Sequence, residues 1–143
     1  MMRRTKRRGA NAVEFALLLP VFVLLVGGSV DLSWLMLQRG AMRSAVSRGC
    51  RAGSLVDPGL KESAVADVHT RAQNAIRSLY EGSVGACPGC VVNTTMVGAI
   101  PNRALRCNLV APWDGLTPAL SEIQSGDLTD EVVVRLEFQR DPT

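Results

Sequence analysis

The sequence predicts an α+β protein in which one long N-terminal membrane-spanning helix continues into a small cap of one further helix and about three antiparallel strands. Three observations predict it. A basic head is followed by an unbroken apolar run, helical periodicity continues past that run without a proline, and short alternating segments fill the C-terminal part of the 143 residues.

The first element is the apolar helix. From Phe15 to Val30 no residue is charged, and with Ala10 to Val13 before it and Leu32 to Leu37 after it the run exceeds the roughly 20 residues a bilayer helix requires. Pro20 removes one backbone bond and predicts a bend, with Gly27 and Gly28 as a second soft point. Beyond the run, Leu32, Leu35, Met36, Met42 and Val46 recur at helical intervals with Arg39, Arg43, Arg48 and Arg51 set between them. One helix from Ala10 to Ala52 would be roughly 64 Å long. Half of it would stand outside the bilayer.

Charge sets the orientation and removes one class of function. The net charge of +3 is misleading as a whole, because the first nine residues hold Arg3, Arg4, Lys6, Arg7 and Arg8, leaving eleven basic against thirteen acidic residues in the remainder. A nucleic-acid partner is not expected. A basic cluster directly before an apolar run stays in the cytoplasm by the positive-inside rule, which sends Asp31 onward across the membrane.

Within this segment Glu14 stands out. An unpaired carboxylate in a membrane helix is costly and signals a partner. Cutting the chain after Gly9 would give Ala10 a free α-amine, mostly cationic at neutral pH, and the two groups would lie about 6 Å apart along one helix. Glu14 could then set the register between subunits packed in lipid. The alternative is that it snorkels to the cytoplasmic interface.

Ala41, Ala45, Gly49 and Gly53 fall at successive i+4 positions and form a nearly bare ridge, on which another backbone could approach closely. The expected occupant is the chain's own C-terminal sheet or helix. A second helix follows "GSLVDPG", with Asp57 as cap and Pro58 in its first turn. Leu60, Ala64, Val65, Val68, Ala72, Ala75, Ile76 and Leu79 trace its apolar face, Lys61, Glu62, Asp67, Arg71 and Arg77 its polar one, and Gly82 is its expected end. Strands are expected at Val91 to Val97, Ala104 to Val110 and Glu131 to Gln139, where Val132, Val134, Leu136 and Phe138 alternate with Val133, Arg135, Glu137 and Gln139. A short helix is expected at Pro118 to Gln124.

Cys50, Cys87, Cys90 and Cys107 are an even number in the part predicted to leave the cytoplasm, which fits disulfides in an oxidising compartment. Three connectivities are open. "CPGC" at 87 to 90 also has the spacing of a redox pair, but such pairs work at a helix start, and this one sits between a helix end and a strand. A zinc site is weakly supported, since only one CxxC exists. His69, the one histidine, reads as a surface or helix-packing residue. Phosphate loops, HExxH and GxSxG are absent, so neither an enzyme nor a cofactor is expected. Trp34 reads as an anchor at the outer membrane interface and Trp113 as cap packing.

The run "RRGANAVEFALLLPVFVLLVGGSVDLSWLMLQRGAMRSAVSRGCRAGSL" resembles the N-terminus of TadE-like proteins, minor pilins or pseudopilins of the Tad (Flp) type IV pilus systems. The resemblance implies a basic leader, a Gly cut on the cytoplasmic side by a prepilin peptidase, a Glu at mature position five followed by an aromatic, and a long apolar helix. In this chain those are Arg3 to Arg8, Gly9, Glu14 with Phe15, and Ala16 to Val30. Major Flp pilins differ, with Tyr after the Glu and almost no domain. On this reading residues 1–9 are the leader, 10–30 the transmembrane half of the helix, 31–53 its extracytoplasmic half and 54–143 the cap. The implied partners are the prepilin peptidase, other Tad pilins and pseudopilins, inner-membrane assembly proteins and the lipid bilayer. The implied location is the bacterial inner membrane, single-pass, with a cytoplasmic N-terminus and a periplasmic C-terminal domain, and from there an extracellular pilus. Two alternatives stay open: a secreted periplasmic protein cleaved near Ser29, and a membrane-tethered thiol oxidoreductase using Cys87 and Cys90.

Overall fold

The computed structural model describes residues 6–56, 62–99, 102–113 and 126–137, with side chains described from Ala12 onward and, in the second helix, from Val65. Its elements run α1 (Lys6–Ser54), α2 (Glu62–Val84), β1 (Val91–Val97), β2 (Ala104–Trp113) and β3 (Gly126–Arg135). The three strands form one open antiparallel sheet in the order β1-β2-β3. The fold is α+β.

Helix α1 is 49 residues long, about 74 Å at 1.5 Å per residue. It starts at Lys6 rather than Ala10 and continues through Pro20. A helix satisfies all its interior backbone groups from within, which is what an apolar segment without water around it requires.

The far half of α1 carries the head. Met42, Ala45, Val46 and Cys50 from α1, Val68, Ala72, Ile76 and Tyr80 from α2, and Leu105, Cys107, Leu109 and Ala111 from β2 make one buried cluster. The α2 residues follow each other at i+4, so a single stripe of that helix faces the core. Both helices pack on the same face of the sheet.

Helix α2 passes through Gly82 and ends at Val84, which corrects the expected stop. Gly85 adopts φ +95° and its N–H donates to the Glu81 carbonyl at 2.9 Å. That is an αL cap, which needs a residue free of a Cβ penalty at the position after the last helical one. Gly82 lies one turn too early to serve, and an exposed helix interior tolerates it at modest cost. Asp57, Pro58 and Leu60 lie outside the described residues, as do the expected helix at Pro118 to Gln124 and the strand positions Phe138 and Gln139.

The sheet corrects two further boundaries. β2 extends to Trp113 instead of Val110, and β3 begins at Gly126 and ends at Arg135, not spanning Glu131 to Gln139. Alternation alone located the Val-rich part of β3, whereas its start is fixed by pairing: Ala111 with Leu128, Pro112 with Asp127 and Trp113 with Gly126. Gly and Asp are poor strand formers by propensity, so the partner strand decides. Pro112 is accommodated because β1 pairs with β2 only as far as Val110, leaving one side of β2 unpaired where an N–H is missing.

Candidate functional site

The near half of α1 is bare. Ala12 to Val26 are all exposed, among them Phe15 at 67%, Leu18 at 61% and Phe22 at 65%. No part of the most apolar 18-residue window of this helix is buried in the molecule, and its mean hydropathy is 2.3. A bare apolar surface of that length needs a nonaqueous surrounding, and a membrane anchor is the physical answer. Glu14 is exposed within this surface, and no ion pair among the described residues involves it. Gly9 and Ala10 lie in the first turns of α1, where leading N–H groups have no intrahelical acceptor and the backbone frays most readily.

At the other end the ridge of small residues is packed. Ala45, Gly49 and Gly53 are buried and Ala41 is half-buried against the core. A Cβ at Gly49 would stand 2.7 Å from the backbone nitrogen of Ile76 and 2.9 Å from its Cα, and one at Gly53 would stand 2.6 Å from the Ala72 side chain. The occupant of the ridge is therefore α2, whose backbone sits against α1 at a distance that excludes any side chain.

Two disulfides pair all four cysteines. Cys50–Cys107 joins α1 to the central strand across 57 positions, with Cα atoms 5.9 Å apart, and both residues are fully buried. Cys87–Cys90 closes a three-residue separation between the end of α2 and the start of β1. Thiolates of redox CxxC pairs are stabilised at helix N-termini, and Cys87 instead follows a helix C-terminus.

Sequence reasoning missed a polar seam. His69, Gln73 and Arg77, at i+4 spacing on α2, face β1: His69 Nδ1 and Thr94 Oγ1 are 2.8 Å apart, Gln73 Nε2 donates to Thr94 Oγ1 at 3.2 Å, and Arg77 donates to the Cys90 carbonyl at 3.2 Å. Thr94 faces the helices because it pairs with the buried Cys107, and that register was the missing signal. The seam joins a helix to an edge strand and converges on no cavity. Tyr80 is buried in the core cluster, and burial raises its phenol above the ordinary range.

A concavity of ≈ 820 Å³ lies between Ser47 and Arg51 of α1 and the edge of β3, lined by Val132, Val134, Arg135 and Glu137. It carries no nucleophile beside a base. No group of three or more His, Cys, Asp or Glu able to hold a metal occurs among the described residues. Trp34 is half-buried and Trp113 is 6% exposed.

A bare apolar helix that becomes, without a break, the spine of a disulfide-stapled α+β head is the build of a membrane-anchored protein, and the described residues present no catalytic arrangement. Residues 9–51 match the family model described as TadE-like protein. Over that stretch of α1 the chain is similar to TadE-like proteins, a likeness that suggests a Tad pilus-associated protein. The match spans the Gly9 region and the ridge as far as Gly49 and stops before Gly53, α2 and the sheet. No curated protein and no solved structure matches the chain.

Proposed function

We propose that the chain is a minor pilin-like structural subunit of a Tad pilus, cut after Gly9 by a prepilin peptidase and then drawn into the pilus or used to initiate it. The observation that carries this reading is Glu14, an exposed acid five positions beyond Gly9 on a stretch of α1, Ala12 to Val26, that is otherwise bare and apolar. In lipid that carboxylate has no neighbour within its own head to neutralise it, and the new Ala10 amine is the natural partner, in the same subunit or the next. The basic head holds the N-terminus in the cytoplasm and places the disulfide-stapled head in the periplasm, where both disulfides persist. The partners on this reading are the peptidase, other Tad pilins and pseudopilins, and the inner-membrane assembly proteins.

The test is the intact mass and first residue of the protein recovered from its own membranes. A chain starting at Ala10 carries the proposal, whereas an uncut start or a start near Val30 refutes it. For the pairing role, Glu14→Ala should still be cut but should yield no or few pili, and normal piliation in that variant would remove the role of Glu14.

A further inference from the structure

The head reaches further down α1 than a cap standing clear of the membrane would. Asp31 is 4% exposed, so the head covers one side of α1 from that residue on. Asp31 lies seventeen residues above Glu14, about 26 Å along the axis, while the hydrocarbon core is about 30 Å thick. If the core begins at Phe15, it ends near Trp34 and overlaps the level of Asp31. If it begins at Gly9, it ends near Gly28, about 5 Å below Asp31 and still within the headgroup layer. Either placement brings the lower rim of the head into the membrane interface.

The uncovered side of α1 favours the higher placement. Leu32, Met36 and Leu37 are 55%, 58% and 53% exposed, and Arg39 is the first charge beyond them. The apolar surface of the anchor therefore continues up one side of α1 while the head descends on the other.

The rim itself has the composition this requires. The first part of β3, Asp127 to Asp130, shares a groove with Met36, Arg39 and Arg43. Pro112 pairs with Asp127, and a Cβ on Gly89 would touch the Pro112 ring at 2.9 Å. The Cys87–Cys90 loop is thus level with the end of the exposed apolar run. From Gly82 to Val92 no residue is charged, Ala86, Pro88 and Gly89 are exposed, and Val91 is 51% exposed. The short disulfide holds this uncharged loop in one shape at the rim. Asp127 and Asp130 lie in the same groove as the two arginines, so burial of apolar surface, not net charge, is the main attraction.

We propose that this rim, the Cys87–Cys90 loop with Val91 and Pro112, rests on the phospholipid surface and seats the head on the bilayer. The proposal rests on the membrane anchor alone and is independent of cleavage at Gly9 and of any pilus.

Its test uses the full chain in phosphatidylcholine vesicles, with Trp34→Phe and Trp113→Phe together as background, so that the introduced indole is the one that emits. Ala86→Trp reports the rim, and Arg71→Trp, exposed on α2 near the opposite end of the head, is the control. Emission from Ala86→Trp should be quenched by lipids brominated near the headgroup and shielded several-fold from aqueous acrylamide, and Arg71→Trp should show neither effect. Equal acrylamide access at the two sites overturns the proposal. Shielding without quenching by brominated lipid, or shielding that grows with the protein-to-lipid ratio, overturns it in favour of a second copy of the chain on the rim. Replacing phosphatidylcholine by a mixture with phosphatidylglycerol should leave the result within twofold, and a strong dependence would refute the apolar account.

Discussion

Between Ala12 and Val26 helix α1 turns every side chain outward, whereas between Asp31 and Ser54 one face of the same helix is covered by the rest of the chain. The first segment is rich in Leu, Val and Phe and exposes them; the second is rich in Arg, Ser, Ala and Gly and buries Asp31 together with its small and aliphatic positions. Apolarity therefore does not mark the core of this protein. The near half is held in place by its surroundings, with its backbone bonds satisfied internally, and the far half by tertiary packing, disulfide included. Changes in the far half should unfold the head and leave insertion intact, and changes in the near half should do the reverse.

The sharpest break in that division comes from the buried disulfide. Cys50–Cys107 closes a loop of 57 positions, for which the chain-entropy account gives about 4 kcal/mol. A Cys50→Ala, Cys107→Ala protein should lose that much head stability in denaturant unfolding and still fractionate with membranes. Removing Cys87 and Cys90 together, with a separation of only 3, should cost under about 2 kcal/mol by the same account. Equal losses from the two pairs would show that the unfolded head is not the flexible chain this account assumes.

Two glycines of the far half give a second contrast, of opposite sign. Gly49→Ala places a methyl against the backbone of Ile76, which cannot yield as a side-chain tip can, and should destabilise by about 1–3 kcal/mol. Gly40→Ala meets nothing within 4 Å and should stabilise by up to about 1 kcal/mol through helix propensity. Thermal unfolding of the head reads both. Stabilisation by Gly49→Ala would mean that α2 does not sit on the ridge in solution.

A great deal of this was legible because its signals are local. A run of apolar residues with one acid, an i+4 series of small residues and the alternation of Val132, Val134 and Leu136 each declare a face of an element without reference to anything distant. The extent of β3 was not legible, because Gly126 and Asp127 are in a strand only through their pairing with Trp113 and Pro112. The same holds for the seam at Thr94, a polar residue on the inner face that becomes useful only once His69 and Gln73 are brought over it. Four cysteines admitted three connectivities, and the choice was made by packing Cys50 of α1 onto the central strand. The descent of the head to Asp31 had no signal in the sequence at all.

Alkaline titration separates the halves by pH. Burial raises the Tyr80 phenol above its ordinary value of 10.0, so the folded head holds that proton more tightly than the unfolded chain does. Its contribution is complete below pH 10 and is lost as the pH rises through the folded value, because the unfolded chain ionises first. Head stability should fall above about pH 10, and Tyr80→Phe should flatten that fall. An unchanged slope in the variant would place the phenol in water.

The smallest effect tests how far α2 depends on the edge strand. Thr94 Oγ1 stands at hydrogen-bond distance from both His69 Nδ1 and Gln73 Nε2, and Thr94→Val keeps the shape of the side chain while removing both contacts. All three residues are half-buried, so the freed groups of α2 recover part of their hydration, and the loss should be about 1 kcal/mol. A double substitution, Thr94→Val with Gln73→Leu, should cost less than the sum of the two single changes, since each removes the same bond. Full additivity would mean that Gln73 and Thr94 do not meet in solution, leaving Thr94 tied to α2 through His69 alone.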